Sequence, residues 1–196
     1  MSRIPTIDPK QATGKSKELL DGVQAKLGMT PNLMRAMANS PAVLDAYLQF
    51  SGALSRGDLS AKTQEQIALA VAEANSCGYC LSAHSAIGKS VGLTSEQIRD
   101  ARHGTAVDTK SDAILKFVGQ LVAKRGSVSD ADLAAAREAG ATNADITEVV
   151  AITALNLFTN YFNHVAETEV DFPKAAKLES PTVEAACSSD TCATSS

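Results

Sequence analysis

Tryptophan is absent, and five Phe and three Tyr are the whole aromatic complement of the 196 residues. A core built from this chain must be filled by small aliphatic side chains, and a hydrophobic fraction of 44% supplies them. The length suits one domain with a real core. Proline is missing from Ala42 to Phe172. A segment of that length without proline, rich in Ala, Leu, Glu and Gln, reads as helical. No alternating strand pattern is backed by turn chemistry. Lys/Arg blocks are missing too, and the net charge is -4. Both features argue against nucleic acid or an anionic membrane surface as partner. The longest near-apolar run, "VVAITALNLF", is about half of the ~20 residues a bilayer needs. The opening "MSRIPTIDPK" has neither an apolar run nor a cleavage site, so a cytoplasmic location is expected. Four cysteines are too few for a disulfide scaffold. In a reducing compartment, paired cysteines serve catalysis or metal binding more often than structure.

Boundary signals divide the proline-free stretch. Thr30-Pro31 and Ser40-Pro41 each place a cap residue before a proline at the first helical position. "TSEQ" from Thr94 is a capping box, and "SDAD" from Ser129 is an acidic variant. Glycines 28, 57, 92, 104, 126 and 140 fall where helices should stop. The pattern predicts helices over 9–27, 31–39, 41–55, 60–75, 78–91, 95–103, 109–125, 130–139 and 143–169. The fold class is a compact all-α domain spanning 1–173. The helix from Ala61 is apolar nearly all round, and Ile146, Val149, Val150, Ile152, Leu155 and Phe158 mark a second such helix. One core hides one of these comfortably, so a homo-oligomer is expected. Residues 174–196 are poor in large apolar side chains and read as a disordered tail. Two cysteines in that tail, Cys187 and Cys192, form a secondary candidate redox pair.

One stretch concentrates reactive groups: "NSCGYCLSAH", Asn75 to His84, within a motif core at 60–92. Asn75-Ser76-Cys77-Gly78 breaks one helix and starts the next. Cys77 then sits at the cap and Cys80 in the first turn, three residues apart and within disulfide reach. His84 stacks one turn past Cys80. Unsatisfied amides, the positive helix end and an imidazole all favour thiolate at Cys80. A free thiol with a pKa of ~8.5 is only a few per cent ionised at neutral pH. A carboxylate should orient His84. Glu73 is nearer in sequence but lies at a frayed helix end. Glu65, among apolar neighbours, is the better candidate for a partnered acid. Three alternatives stand beside the redox reading: a structural helix-start pair, a zinc site built on Cys77, Cys80 and His84 with Cys187 or Cys192, and an inert tail. Ile67, Leu69 and Leu81 are the apolar neighbours expected to line the space beside the pair, which suits an organic substrate. His103 reads as a solvated helix-end residue. His164, three before Glu167, reads as a paired histidine. Asn75, Asn156, Asn160 and Asn163 read as hydrogen-bonding groups at helix crossings.

"KTQEQIALAVAEANSCGYCLSAHSAIGKSVGL" resembles the alkylhydroperoxidase D-like branch of the carboxymuconolactone decarboxylase superfamily. The hallmark is a Glu, a C-x-x-C beginning twelve positions on, and a His four after the second Cys. Glu65, Cys77, Cys80 and His84 are in that register. The likeness runs more loosely from Pro31 to Pro173. It implies an all-helical oligomer without a bound cofactor and a thiol-dependent hydroperoxide reductase. The electron donor would be a dithiol of lipoamide or thioredoxin type. By the same resemblance Cys80 is the peroxidatic thiol, Cys77 the more accessible resolving thiol, and His84 with Glu65 the proton relay. Tyr79 stands where some members carry a second His. Two other functions fit the same residues: a thiol–disulfide oxidoreductase that reduces a peroxiredoxin or another protein disulfide, and a non-catalytic redox-sensing or scaffold module.

Overall fold

The computed structural model describes residues 2–178. Among these residues all regular structure is helical: α1 Gly14–Leu27, α2 Asn32–Met37, α3 Pro41–Leu54, α4 Ala61–Ala74, α5 Gly78–Ser90, α6 Ser95–Arg102, α7 Thr109–Ala123, α8 Asp130–Glu138 and α9 Asn143–Ala166. The all-α expectation is met element by element. Both foreseen capping boxes form, at Thr94/Gln97 and Ser129/Asp132. A third, Thr142/Asp145, opens α9. Its Asp145 also meets Lys110 at 2.8 Å, which ties α9 to α7.

Boundaries shift where a local side chain competes with the helix. Residues 9–13 are not helical. The Asp8 carboxylate accepts the Lys10 amide at 2.9 Å, and the Asp8 carbonyl accepts the amides of Gln11 and Ala12. A short polar side chain offers the backbone a turn that outbids an early helix. Pro31 caps α2 instead of opening it. The Asn32 amide donates to Asp171 at 2.7 Å, so the chain's far end completes this cap. Pro41 does open α3, although the Ser40 side chain accepts no bond. α9 ends at Ala166 because Glu167 turns left-handed, with φ 46°.

α4 is the centre of the fold and packs against α5, α6, α7 and α9. Its stretch from Gln66 to Ala72 is buried throughout. The all-round apolar pattern of this helix is thus met inside the subunit. α9 is different: Val149 and Ile152 are buried, while Val150, Phe158, Tyr161 and Val165 are exposed. Two cores result. One joins α4, α6, α7, α8 and α9 around Leu69, Leu115 and Val118. The other joins α1, α2 and α3 to α5, and includes Cys77, Tyr79 and Cys80. Val170, Phe172 and Ala175 pack over this second core. The Ala175 amide donates to Ser82 Oγ at 3.2 Å, and Arg102 donates to the Ala176 carbonyl at 2.7 Å. The first residues of the expected tail are therefore docked, because Ser82 and Arg102 satisfy their backbone groups. Cys187 and Cys192 lie outside the described residues.

Candidate active site

Local backbone geometry builds the motif. Asn75 ends α4, and Ser76 takes a left-handed φ of 54°. That single residue reverses the chain, and Cys77 becomes the N-cap of α5. The Cys77 sulfur accepts the Cys80 amide at 3.4 Å. A sulfur does here what a serine oxygen does at an ordinary helix start. The two sulfurs share a hydrogen bond at 2.7 Å, and both thiols are free. From the opposite side, Asn163 Nδ2 of α9 donates to Cys80 Sγ at 3.2 Å.

His84 and Glu65 meet across the α4–α5 junction, with His84 Nδ1 at 2.8 Å from Glu65 Oε2. Glu73 instead binds Arg102 at 2.7 Å. The choice between the two acids is thereby made. Burial pulls the imidazole pKa down, but the charge and hydrogen bond of Glu65 outweigh it. Cys77 adds to that effect, and the net direction is upward.

The two thiols share one hydrogen bond and shift in opposite directions, Cys77 down and Cys80 up. A hydrogen bond from Cys80 holds the Cys77 thiol below the usual range against burial, aided by the Cys80 amide and His84. Cys80 is pushed up, first by its hydrogen bond to Cys77 and then by burial, while Asn163 and Asn160 oppose the shift. The hydrogen bond between the sulfurs is the largest cause, and the cap adds to it on the Cys77 side. The open amide at the helix start points to the N-cap sulfur, and Cys80 sits a turn deeper without one. Both cysteines are buried, each residue 2% exposed.

Cys80, His84 and Glu65 line one cavity of about 460 Å³; Cys77 is not in its wall. Apolar side chains from distant elements make up much of the rest, among them Leu33, Met34, Ile152 and Phe172. Ile67, Leu69 and Leu81 do not take part; Ile67 and Leu69 belong to the core on the other side of α4. Tyr47 of α3 also faces the cavity. Burial, with the charges of Cys80 and Glu65 adding, pushes its pKa up to about 12. Among the described residues, no three His, Cys, Asp or Glu side chains converge as metal ligands.

Residues 41–123 match the carboxymuconolactone decarboxylase family. An alkylhydroperoxidase AhpD core, a peroxidase-related protein of Ralstonia eutropha JMP134, superposes with a TM-score of 0.78 at 26% identity, over 87% of this chain and 92% of that one. This is an alkylhydroperoxidase D-like fold. A peroxidase-related protein of Silicibacter sp. TM1040 has the same fold, with a TM-score of 0.75 at 23% identity over 85% of this chain and 89% of that one. The debrominase Bmp8 bound to 2,3,4-tribromopyrrole has it also, with a TM-score of 0.75 at 16% identity over 87% and 92%. No curated protein matches the chain.

Tyr79 is tied into the packing around the motif. Its hydroxyl accepts the Leu33 amide at 3.1 Å, and its ring meets Phe172 edge-on at 5.8 Å. It joins α2 and the C-terminal segment to the motif. His103 is exposed at the end of α6, as expected. His164 is exposed, and Glu167 pairs with Arg3 at 2.7 Å instead. Sequence reasoning did not assign Asn163 or Tyr47 to the site. The available signal was the run of asparagines at helical spacing on an otherwise apolar α9.

Proposed function

We propose that this protein is a thiol-dependent hydroperoxide reductase. One observation carries the reading: Cys80 opens on the same apolar-walled cavity as the Glu65–His84 pair. A nucleophile and a proton donor thus share one space, and its walls suit the organic part of an alkyl hydroperoxide. The peroxidase-related protein of Ralstonia eutropha has the same fold, which supports the reading.

The cycle uses the chain's own groups. With a hydroperoxide ROOH in the cavity, the Cys80 proton passes to the Cys77 thiolate along their 2.7 Å hydrogen bond. Cys80 thiolate attacks the distal oxygen. An S–O bond forms, the O–O bond breaks, and Cys80 becomes a sulfenic acid. The leaving alkoxide takes a proton from the His84 imidazolium, which Glu65 stabilises. Cys77 then attacks the sulfenic sulfur; a disulfide forms and water leaves. A dithiol donor supplies two electrons and two protons and becomes a disulfide itself. The Cys77 proton returns to His84.

Burial supports this reading over protein-disulfide reduction. Both cysteines are buried, each residue 2% exposed, and a small peroxide suits such a cavity better than a folded partner does. A slender lipoamide-type arm suits the same geometry better than a thioredoxin-type surface. The test is steady-state consumption of an alkyl hydroperoxide with each donor and no peroxiredoxin. Turnover by wild type and none by Cys80→Ser is expected. Equal rates for the two proteins would sink the proposal.

A further inference from the structure

A nucleophile buried at 2% exposure must carry negative charge away from water. Cys77 and burial both work against charge on Cys80. An offset has to come from the other side of the sulfur, which faces α9. Asn156, Asn160 and Asn163 lie there at helical spacing, 6%, 0% and 5% exposed. A buried carboxamide is costly unless its donors and acceptors are matched. Asn156 donates within its own helix, to the Ile152 carbonyl at 2.9 Å.

The other two leave a donor free of the helix's own hydrogen bonds. Asn163 Nδ2 donates to its sulfur at 3.2 Å. Asn75 sets the orientation of Asn160: Asn75 Nδ2 donates to the Val71 carbonyl at 2.9 Å and to Asn160 Oδ1 at 3.1 Å. The oxygen side of Asn160 is thereby engaged. Its Nδ2 is buried and has no protein partner. Asn163 Oδ1 is also buried without a protein partner, so hydrogen bonding on the oxygen side does not explain this side chain.

We propose that Asn163 opens a carboxamide cradle that holds negative charge on the Cys80 sulfur during attack, with the unpartnered Nδ2 of Asn160, oriented by Asn75, as the second donor it recruits once charge forms, an inference that rests on the hydroperoxide reductase reading. When the proton crosses from Cys80 to Cys77, charge moves the opposite way, toward the amide donors. Neutral N–H groups suit this task because they stabilise thiolate without being consumed as acids. The other titratable groups around this sulfur are Cys77, Tyr79 and His84 on α5, Glu65 on α4 and Tyr47 on α3. Of these, Cys77 hydrogen-bonds the sulfur itself, as Asn163 does from α9.

The test follows the pH dependence of Cys80 alkylation in the full chain carrying Cys77→Ser, with the Cys80 peptide resolved by mass. A hydrogen bond to a charged group contributes about 1.5–3 kcal/mol, which converts to about one to two pH units. Asn163→Leu and Asn163→Asp are each expected to raise the Cys80 midpoint by about that much. Asn160→Leu and Asn75→Ala should raise it less. The aspartate variant keeps the side-chain shape, so it carries the test should the leucine variant fail to fold. An unmoved midpoint in the folded Asn163 variants overturns the cradle. The measurement needs no peroxide. A shifted midpoint in a protein that never consumes peroxide removes the reductase reading and keeps the carboxamide–thiolate interaction. Peroxide turnover with an unmoved midpoint does the reverse.

Discussion

Glu65 on α4 and His84 on α5, 19 residues apart in the chain, meet at 2.8 Å. The carboxylate raises the imidazole pKa from its ordinary 6.5, even though burial works the other way. In the proposed cycle His84 must be protonated to neutralise the alkoxide, so the rate falls as pH rises through that raised value. In Glu65→Gln the falling limb should move to lower pH. Glu65→Gln and His84→Ala should each slow turnover by roughly 10²–10⁴-fold. A pH–rate profile unchanged in Glu65→Gln would remove the relay. The same shift links to stability. Its contribution is complete below pH 6.5, the unfolded value, and is lost as pH rises through the higher folded one. Thermal unfolding against pH should show that loss in wild type and a smaller one in Glu65→Gln.

Cys77→Ser should still react once and then stop. Serine keeps the helix cap but cannot resolve a sulfenic acid. One equivalent of peroxide per subunit, followed by trapping of Cys80 with a sulfenic-acid reagent, is the expected result. Trapping in Cys80→Ser instead would exchange the roles of the two cysteines.

Leu69 is fully buried in the core that seats α4. Leu69→Ala should cost about 2–5 kcal/mol, read from urea unfolding. It stands outside the cavity wall, so substrate preference should stay unchanged in the protein that folds.

α9 leaves Val150, Phe158, Tyr161 and Val165 exposed at 46%, 40%, 60% and 63%. Their spacing forms one stripe along the helix, the pattern of a helix–helix interface. Light scattering should give a mass above the 20.4 kDa of one chain, and Tyr161→Glu should lower it.

Truncation after Lys177 removes Cys187 and Cys192 and keeps the Arg102–Ala176 hydrogen bond. Turnover with a small dithiol is expected to be unchanged. A loss of rate, or a mixed disulfide between tail and motif in the full chain, would instead make the tail a redox arm.

Much of this was legible in the residues alone. Helix starts follow from side chains within four positions, so the boxes at Thr94 and Ser129 stand where the pattern placed them. Cys77 at the cap, Cys80 in the first turn and His84 one turn on follow from the same period. The choice of Glu65 over Glu73 also came from sequence, through the rule that an acid among apolar neighbours has a partner.

Tertiary structure alone decided the rest. How the two sulfurs share charge turns on the hydrogen bond between them and on α9. The Asn163–Cys80 contact spans 83 residues. The cavity wall gathers Leu33, Ile152 and Phe172 from three separate parts of the chain. Helical periodicity relates residues within a turn or two, and it carries no information about which face of one helix meets which face of another. That is set by the packing of α2, α9 and the C-terminal segment around α4 and α5, where the cost of burying polar groups selects the arrangement that pairs them.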